Sequence, residues 1–185
     1  MANIKTINLG FIVINPEKNI SHLHTTLVSV RSYYRNSEVV HILPQDADKQ
    51  DIKESKAKFE STFKGGENEI SMINTGFKKL KSDWGVIIRA GSMIRPNLHK
   101  KYGTHHKNYK DIFYPISIST NLSFLDTSLN GVAINKKFFK EVGNFPENKM
   151  WKSSDPDFNM FKILWTNDAL NLGCKFKAVL GCQPN

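Results

Sequence analysis

The apolar residues of this chain change their spacing repeatedly, and that alternation limits what it can fold into more than any other feature. The run "INLGFIVI" (7–14) is apolar nearly throughout and is closed by Asn15-Pro16, as a strand buried on both faces would be. Ile20, Leu23, Leu27, Val30 and Tyr34 then recur three or four residues apart, which predicts an amphipathic helix with Asn19 or Ser21 as its N-cap. "EVVHIL" (38–43) returns to strand and stops at Pro44. A helix is predicted around Lys53 to Phe63, broken by Gly65-Gly66, and another where Ile70, Ile73, Phe77 and Leu80 align.

The second half repeats the alternation. "GVIIRA" (85–90) reads as a third strand, followed by Pro96 at a helix start and a basic segment ending near Gly103. "DIFYPI" (111–116) and "NGVAI" (130–134) read as strands, and Asn135 to Val142 as a short helix stopped by Gly143. A last helix from about Pro156 to Leu172 ends at Gly173 and leads into "CKFKAVLG". Strands and helices in this order predict a Rossmann-like α/β sandwich, a mostly parallel central sheet flanked by helices. A length of 185 residues suits one domain with a sizeable core. In such sheets ligands bind beyond the carboxyl ends of the strands, so the loops after residues 14, 43 and 89 are expected to share one edge.

No apolar run is long enough for a membrane span and no basic-then-apolar leader is present, so a cytoplasmic protein is expected. Cys174 and Cys182 are too few for a disulfide framework or a four-ligand zinc site and read as simple thiols. The charge is uneven. Between residues 78 and 110, nine basic side chains stand against Asp83 alone, so +8 of the formal +9 lies in that stretch. Such a field favours an anionic partner, but Lys outnumbers Arg 22 to 4, and a solvated lysine-rich face explains the run equally well. Nucleic acid is an unfavoured partner, because the aromatics there, Tyr102 and Tyr109, are sparse and no recognition signature accompanies them.

Four stretches, taken in order, resemble the family 2 type of nucleotide-sugar glycosyltransferase with the GT-A fold. "FIVINPEKN" with "HLHTTLVSV" is similar to its opening strand, P-x-x-N turn and helix. "INTGFKKLKSDWGVII" resembles its N-x-G helix and the strand that follows. "LNGVAINKKFFKEVGNFPEN" resembles the strand, short helix and V-G-x-F ahead of the acceptor region, and "SSDPDFNMFKILW" the E-D-x-D-L segment before the helix carrying the catalytic base. The resemblance implies a single GT-A-like domain over 1–185, with a nucleotide-binding half to about residue 95 and an acceptor-side half from about 96. It implies transfer of a sugar from a nucleoside diphosphate donor to a hydroxyl of a glycan or other acceptor.

One departure bears on the chemistry. A divalent metal held by D-x-D usually stabilises the departing diphosphate in this family, and carboxylate oxygens are the hard ligands such an ion prefers. Here the strand ends in Arg89-Ala90-Gly91-Ser92, with no acid between Asp83 and Asp111. No metal or other cofactor is therefore expected at that position. Two explanations stay open. Arg89 and Arg95 could neutralise the diphosphate while Gly91 and Ser92 let backbone N–H groups approach it, or transfer has been lost and a nucleotide- or glycan-binding or structural module remains.

The resemblance places Asp155 and Asp157 as the base that takes the acceptor proton, although Ser154 stands where its first acid would be. The same "SDPD" is what a helix start needs without catalysis, a cap, a proline and a dipole-facing acid. Asp168, further into the helix, is a weaker candidate. Pro16 and Asn19 would shape the first donor loop. In "LPQDADKQD", Asp46 and Asp48 would accept hydrogen bonds from the base or ribose, or act only as turn residues.

Overall fold

The computed structural model describes residues 7–58, 61–94, 96, 102, 108–116, 129–147 and 160–180. Its strands are β1 (Leu9–Ile14), β2 (Glu38–Leu43), β3 (Thr62–Lys64), β4 (Trp84–Arg89), β5 (Asp111–Ile116), β6 (Ala133–Asn135) and β7 (Lys175–Leu180). The helices among the described residues are α1 (Ile20–Tyr33), α2 (Lys49–Lys58), α3 (Glu69–Lys79), α4 (Lys136–Val142) and α5 (Met160–Asn171). The seven strands form one sheet in the order β3-β2-β1-β4-β6-β5-β7. All pairings are parallel except those of β6, which runs against both β4 and β5. The expected α/β architecture with a mostly parallel sheet is the one observed. No helix among the described residues is long and apolar enough to cross a membrane.

β1 explains the arrangement. All six of its residues are buried because helices cover both of its faces. Phe11 and Val13 join a core with Leu23 and Val30 of α1, while Ile12 and Ile14 join a second core with Ile70, Ile73 and Phe77 of α3. α3 can lie close to the sheet because Gly76 has no side chain; a Cβ there would collide with Ile12 Cγ2. The second core continues into the C-terminal half through Phe138 and Phe139 of α4 and Trp165 of α5, with Phe77 and Phe139 stacked at 4.0 Å.

The caps follow the expected chemistry. Asn19 caps α1, its side chain accepting from the amides of Ser21 and His22. Asn68 and Ser71 form a reciprocal capping box at α3, and Asn135 caps α4. Gly143 (φ 102°) and Gly173 (φ 81°) end α4 and follow α5 in the left-handed conformation that glycine tolerates.

Two expectations shift. The helix predicted for Lys53 to Phe63 lies instead at Lys49–Lys58, and Thr62 and Phe63 belong to an edge strand paired with His41 and Ile42. A three-residue strand carries no periodicity, so only its partner β2 specifies it. The strand expected at 130–134 begins at Ala133, because Asn130 and Gly131 (φ 87°) form the preceding turn. The start of the last predicted helix, and most of the segment after Pro96, lie outside the described residues.

Two outcomes are expected from this packing. Gly76→Ala should lower stability by about 1–3 kcal/mol in chemical denaturation, although alanine favours helix, because the added methyl overpacks the α3–β1 contact. His41 is fully buried in β2 with Nδ1 3.3 Å from Thr62 Oγ1, and burial pushes its pKa down to about 4. Between pH 6.5 and 4 the unfolded chain takes up a proton that the folded chain refuses, so stability falls as pH falls through that window, by up to about 3 kcal/mol. Denaturation curves at pH 7 and pH 4.5 should show this loss, and His41→Gln should flatten it.

Candidate functional site

The loops after β1, β2 and β4 meet at one edge, as the parallel order β2-β1-β4 requires. The strand ends are laced together: Asn15 N–H donates to Ile42 O (3.0 Å), Ala90 N–H to Ile14 O (2.8 Å) and Gly65 N–H to Leu43 O (2.7 Å). The first loop is a tight turn. Asn15, fully buried, accepts from Asn19 N–H through Oδ1 (3.1 Å), and Lys18 N–H donates to Asn15 O (3.2 Å), with Lys18 itself at φ 55°. Pro16 lies within this turn, and the Asn19 side chain is committed to capping α1.

Arg89 ends β4 and is clasped from two sides. Its Nη2 lies 3.0 Å from Glu17 Oε1 of the first loop, and its Nη1 lies 3.0 Å from Glu69 Oε1 in the first turn of α3. Glu17 Oε2 also stands 3.6 Å from His22 Nδ1. Burial pushes the Glu69 pKa up, against the opposing pull of the Arg89 charge, and the nearby Glu17 adds to the rise. Neither Glu17 nor Glu69 was singled out from sequence. They reach Arg89 only because β4 lies beside β1 and because α3 packs across both.

The turn after Arg89 is rigid. Gly91 (φ 96°) donates its N–H to His22 O (3.0 Å) and to Thr26 Oγ1 (2.9 Å), and Ser92 N–H donates to Arg89 O (3.1 Å). Both amides expected to face a diphosphate are thus engaged within the chain, because this turn is sewn onto α1. Ser92 Oγ accepts from Asn130 Nδ2 (2.8 Å), while Asn130 Oδ1 accepts from Arg89 N–H (3.0 Å). Asn130 is a third residue the sequence did not single out; it ties the turn before β6 to the end of β4. A comparable tie comes from buried Asn74, which accepts from Phe145 N–H and donates to Phe145 O and Glu147 Oε1.

The other acidic candidates separate. Asp46 is exposed and pairs with Lys18 at 3.2 Å, bridging the first two loops. Asp48 accepts from Asp51 N–H (2.8 Å), and Asp51 accepts from Asp48 N–H (3.0 Å), a reciprocal cap at the start of α2. Of the two readings for Asp48, the turn-and-cap one describes its contacts. Arg95, Asp155 and Asp157 lie outside the described residues. Asp168 is exposed near the end of α5, and Cys174 is a buried thiol pushed up to about 12 by burial and by Asp111.

The described residues of the basic run do not form a single field. Lys78, Lys79 and Lys81 follow α3 to the opposite edge, where β4 begins, and Lys110 precedes β5, which runs parallel to β4. At the edge where β1, β2 and β4 end, the described ionic contacts set Glu17, Asp46 and Glu69 against Lys18 and Arg89, three acids against two bases. At the end of β4 the Arg89 guanidinium pairs with both nearby carboxylates, Glu17 and Glu69. Among the described residues no three His, Cys, Asp or Glu side chains converge as a metal site.

Neither a protein-family profile nor a curated protein sequence matches this chain. Solved structures do. The crystal structure of S. aureus TarS 1–349 in complex with UDP superposes with a TM-score of 0.67 over 96% of this chain, at 11% identity. A second crystal structure of S. aureus TarS 1–349 gives a TM-score of 0.62 over 95% of this chain, at 12% identity. TarS is a GT-A-type glycosyltransferase. The fold is that of a GT-A-like glycosyltransferase. This GT-A-like chain spans 59% of the length of the TarS chain.

Asn130→Ala removes one acceptor from Arg89 N–H and one donor to Ser92 Oγ without touching the apolar core. It should cost about 1–3 kcal/mol by chemical denaturation, with the far-ultraviolet circular dichroism of the folded state unchanged.

Proposed function

We propose that this chain is a family 2-type glycosyltransferase that takes a sugar from a nucleoside diphosphate donor and passes it to a hydroxyl of a glycan or similar acceptor. The observation that carries the reading is the GT-A-like fold matched across 96% of the chain by a protein crystallised with UDP. The donor-binding half would run to about residue 95 and the acceptor half from about 96, in a cytoplasmic protein.

In the proposed reaction the acceptor hydroxyl loses its proton to Asp155 or Asp157 as its oxygen bonds to the anomeric carbon. The bond from that carbon to the diphosphate breaks, and the nucleoside diphosphate leaves with the electron pair. Arg89 and Arg95 would offset its charge in place of a metal held by D-x-D, since guanidinium groups donate to phosphate oxygens in pairs. Pro16, Asn19, Gly91 and Ser92 would act through loop shape, given how their polar groups are engaged. Asp46 would meet the base or ribose, since Asp48 is engaged with Asp51 at the start of α2.

A second reading is favoured by the double clasp on Arg89 and the internal bonding of the Gly91 and Ser92 amides: a nucleotide- or glycan-binding module that transfers nothing. The two separate in a thermal-shift screen of nucleoside diphosphates and nucleotide sugars, with and without manganese, followed by donor-hydrolysis assays. The enzyme reading expects a rise in Tm with a uridine or other nucleoside diphosphate, no further rise with manganese, and hydrolysis reduced at least 100-fold in the Asp155→Asn/Asp157→Asn double variant. Stabilisation without hydrolysis in the unaltered protein selects the binding module. A folded protein indifferent to every nucleotide would refute both donor-site readings.

A further inference from the structure

The two carboxylates on Arg89 are not equivalent. Glu17 is 55% exposed, on a turn of five residues between β1 and α1, and its remaining oxygen has His22 at 3.6 Å, beyond hydrogen-bond reach. Glu69 is only 20% exposed and sits in the first turn of α3, where the helix dipole favours a negative charge. That helix is held at its start by the Asn68–Ser71 capping box and along its length by the contact between Gly76 and β1.

We propose that an incoming diphosphate replaces Glu17 on Arg89 while Glu69 stays in place, so that these two acids set how tightly the donor edge holds an anion. This rests on the donor-site reading above. Separating Arg89 from Glu69 would leave a largely buried carboxylate without its counter-charge, whereas separating it from Glu17 returns an exposed carboxylate to water. The exchange therefore takes place at Nη2. A phosphate oxygen accepts from that nitrogen in the geometry Glu17 now uses, and Nη1 remains anchored on Glu69. Glu17 is a built-in competitor for the anion, and Glu69 is a positioning residue for Arg89.

Isothermal titration of the intact chain with UDP tests this in the unaltered protein, Glu17→Gln, Glu69→Gln, Arg89→Ala and the Glu17→Gln/Arg89→Ala double variant. Glu17→Gln is isosteric and lies at an exposed position, and its Tm is checked against that of the unaltered chain. Removing the competitor should tighten UDP binding about fivefold, the scale of an exposed ion pair. Glu69→Gln should weaken binding by a similar factor, and the gain from Glu17→Gln should vanish when Arg89 is alanine. Binding by the unaltered protein with no gain in Glu17→Gln, or a gain that survives loss of Arg89, overturns the exchange and leaves the donor reading standing. Absence of binding of UDP and of every other nucleoside diphosphate in the screen, in both the unaltered protein and Glu17→Gln, overturns the donor reading and the exchange together.

Discussion

The pairing of β1 with β4 is the contact on which the rest of the molecule depends. Six residue pairs, from Leu9 with Trp84 to Ile14 with Arg89, join segments some 75 positions apart in the chain. No local preference can create this pairing; it is stabilised because a strand apolar on both sides needs neighbours on both sides and a helix on each face. Once β1 sits between β2 and β4, the turn after β1 and the end of β4 must be neighbours. Glu17 and Arg89 meet as a consequence of the strand order.

That dependence explains which features could be read in advance. Strands β2 and β5 fall at the residues their apolar runs delimit, and the α1 stripe and its Asn19 cap are found where spacing and cap chemistry put them. These are local properties, decided within a dozen residues. β3 was missed because its three residues are a strand only by virtue of β2. The reversed direction of β6 was equally invisible, since a buried strand shows the same pattern whichever way it runs. The shared edge of the three loops was legible as a rule of parallel sheets. Its chemistry was not, because Glu69 and Asn130 reach Arg89 through α3 packing and through β6, and neither leaves a mark near residue 89.

Charge shows the same separation between sequence and space. A run of nine cations in 33 residues looks like one patch, but β4 carries the chain across the full width of the sheet in the middle of it. Lys78, Lys79 and Lys81 are left on one side, and Arg89 is delivered to the other, into the company of acids. A strand of six residues spans roughly 20 Å, about two Debye lengths at physiological salt, so exposed charges at its two ends act almost independently. What an anion meets at the edge where β1 and β4 end is the local balance there, with Lys18 and Arg89 among its cations.

β6 also limits how this chain can be divided. It runs back between β4 and β5, so the C-terminal strands β6, β5 and β7 extend the sheet from the edge of β4. A fragment that stopped after β4 would expose the backbone of Val86 and Ile87 along an open apolar edge, the kind of edge that recruits other chains into aggregates. The two halves of the chain therefore depend on each other through the β4–β6 pairing, and the N-terminal half cannot be taken out as a cassette without rebuilding the strand that seals it.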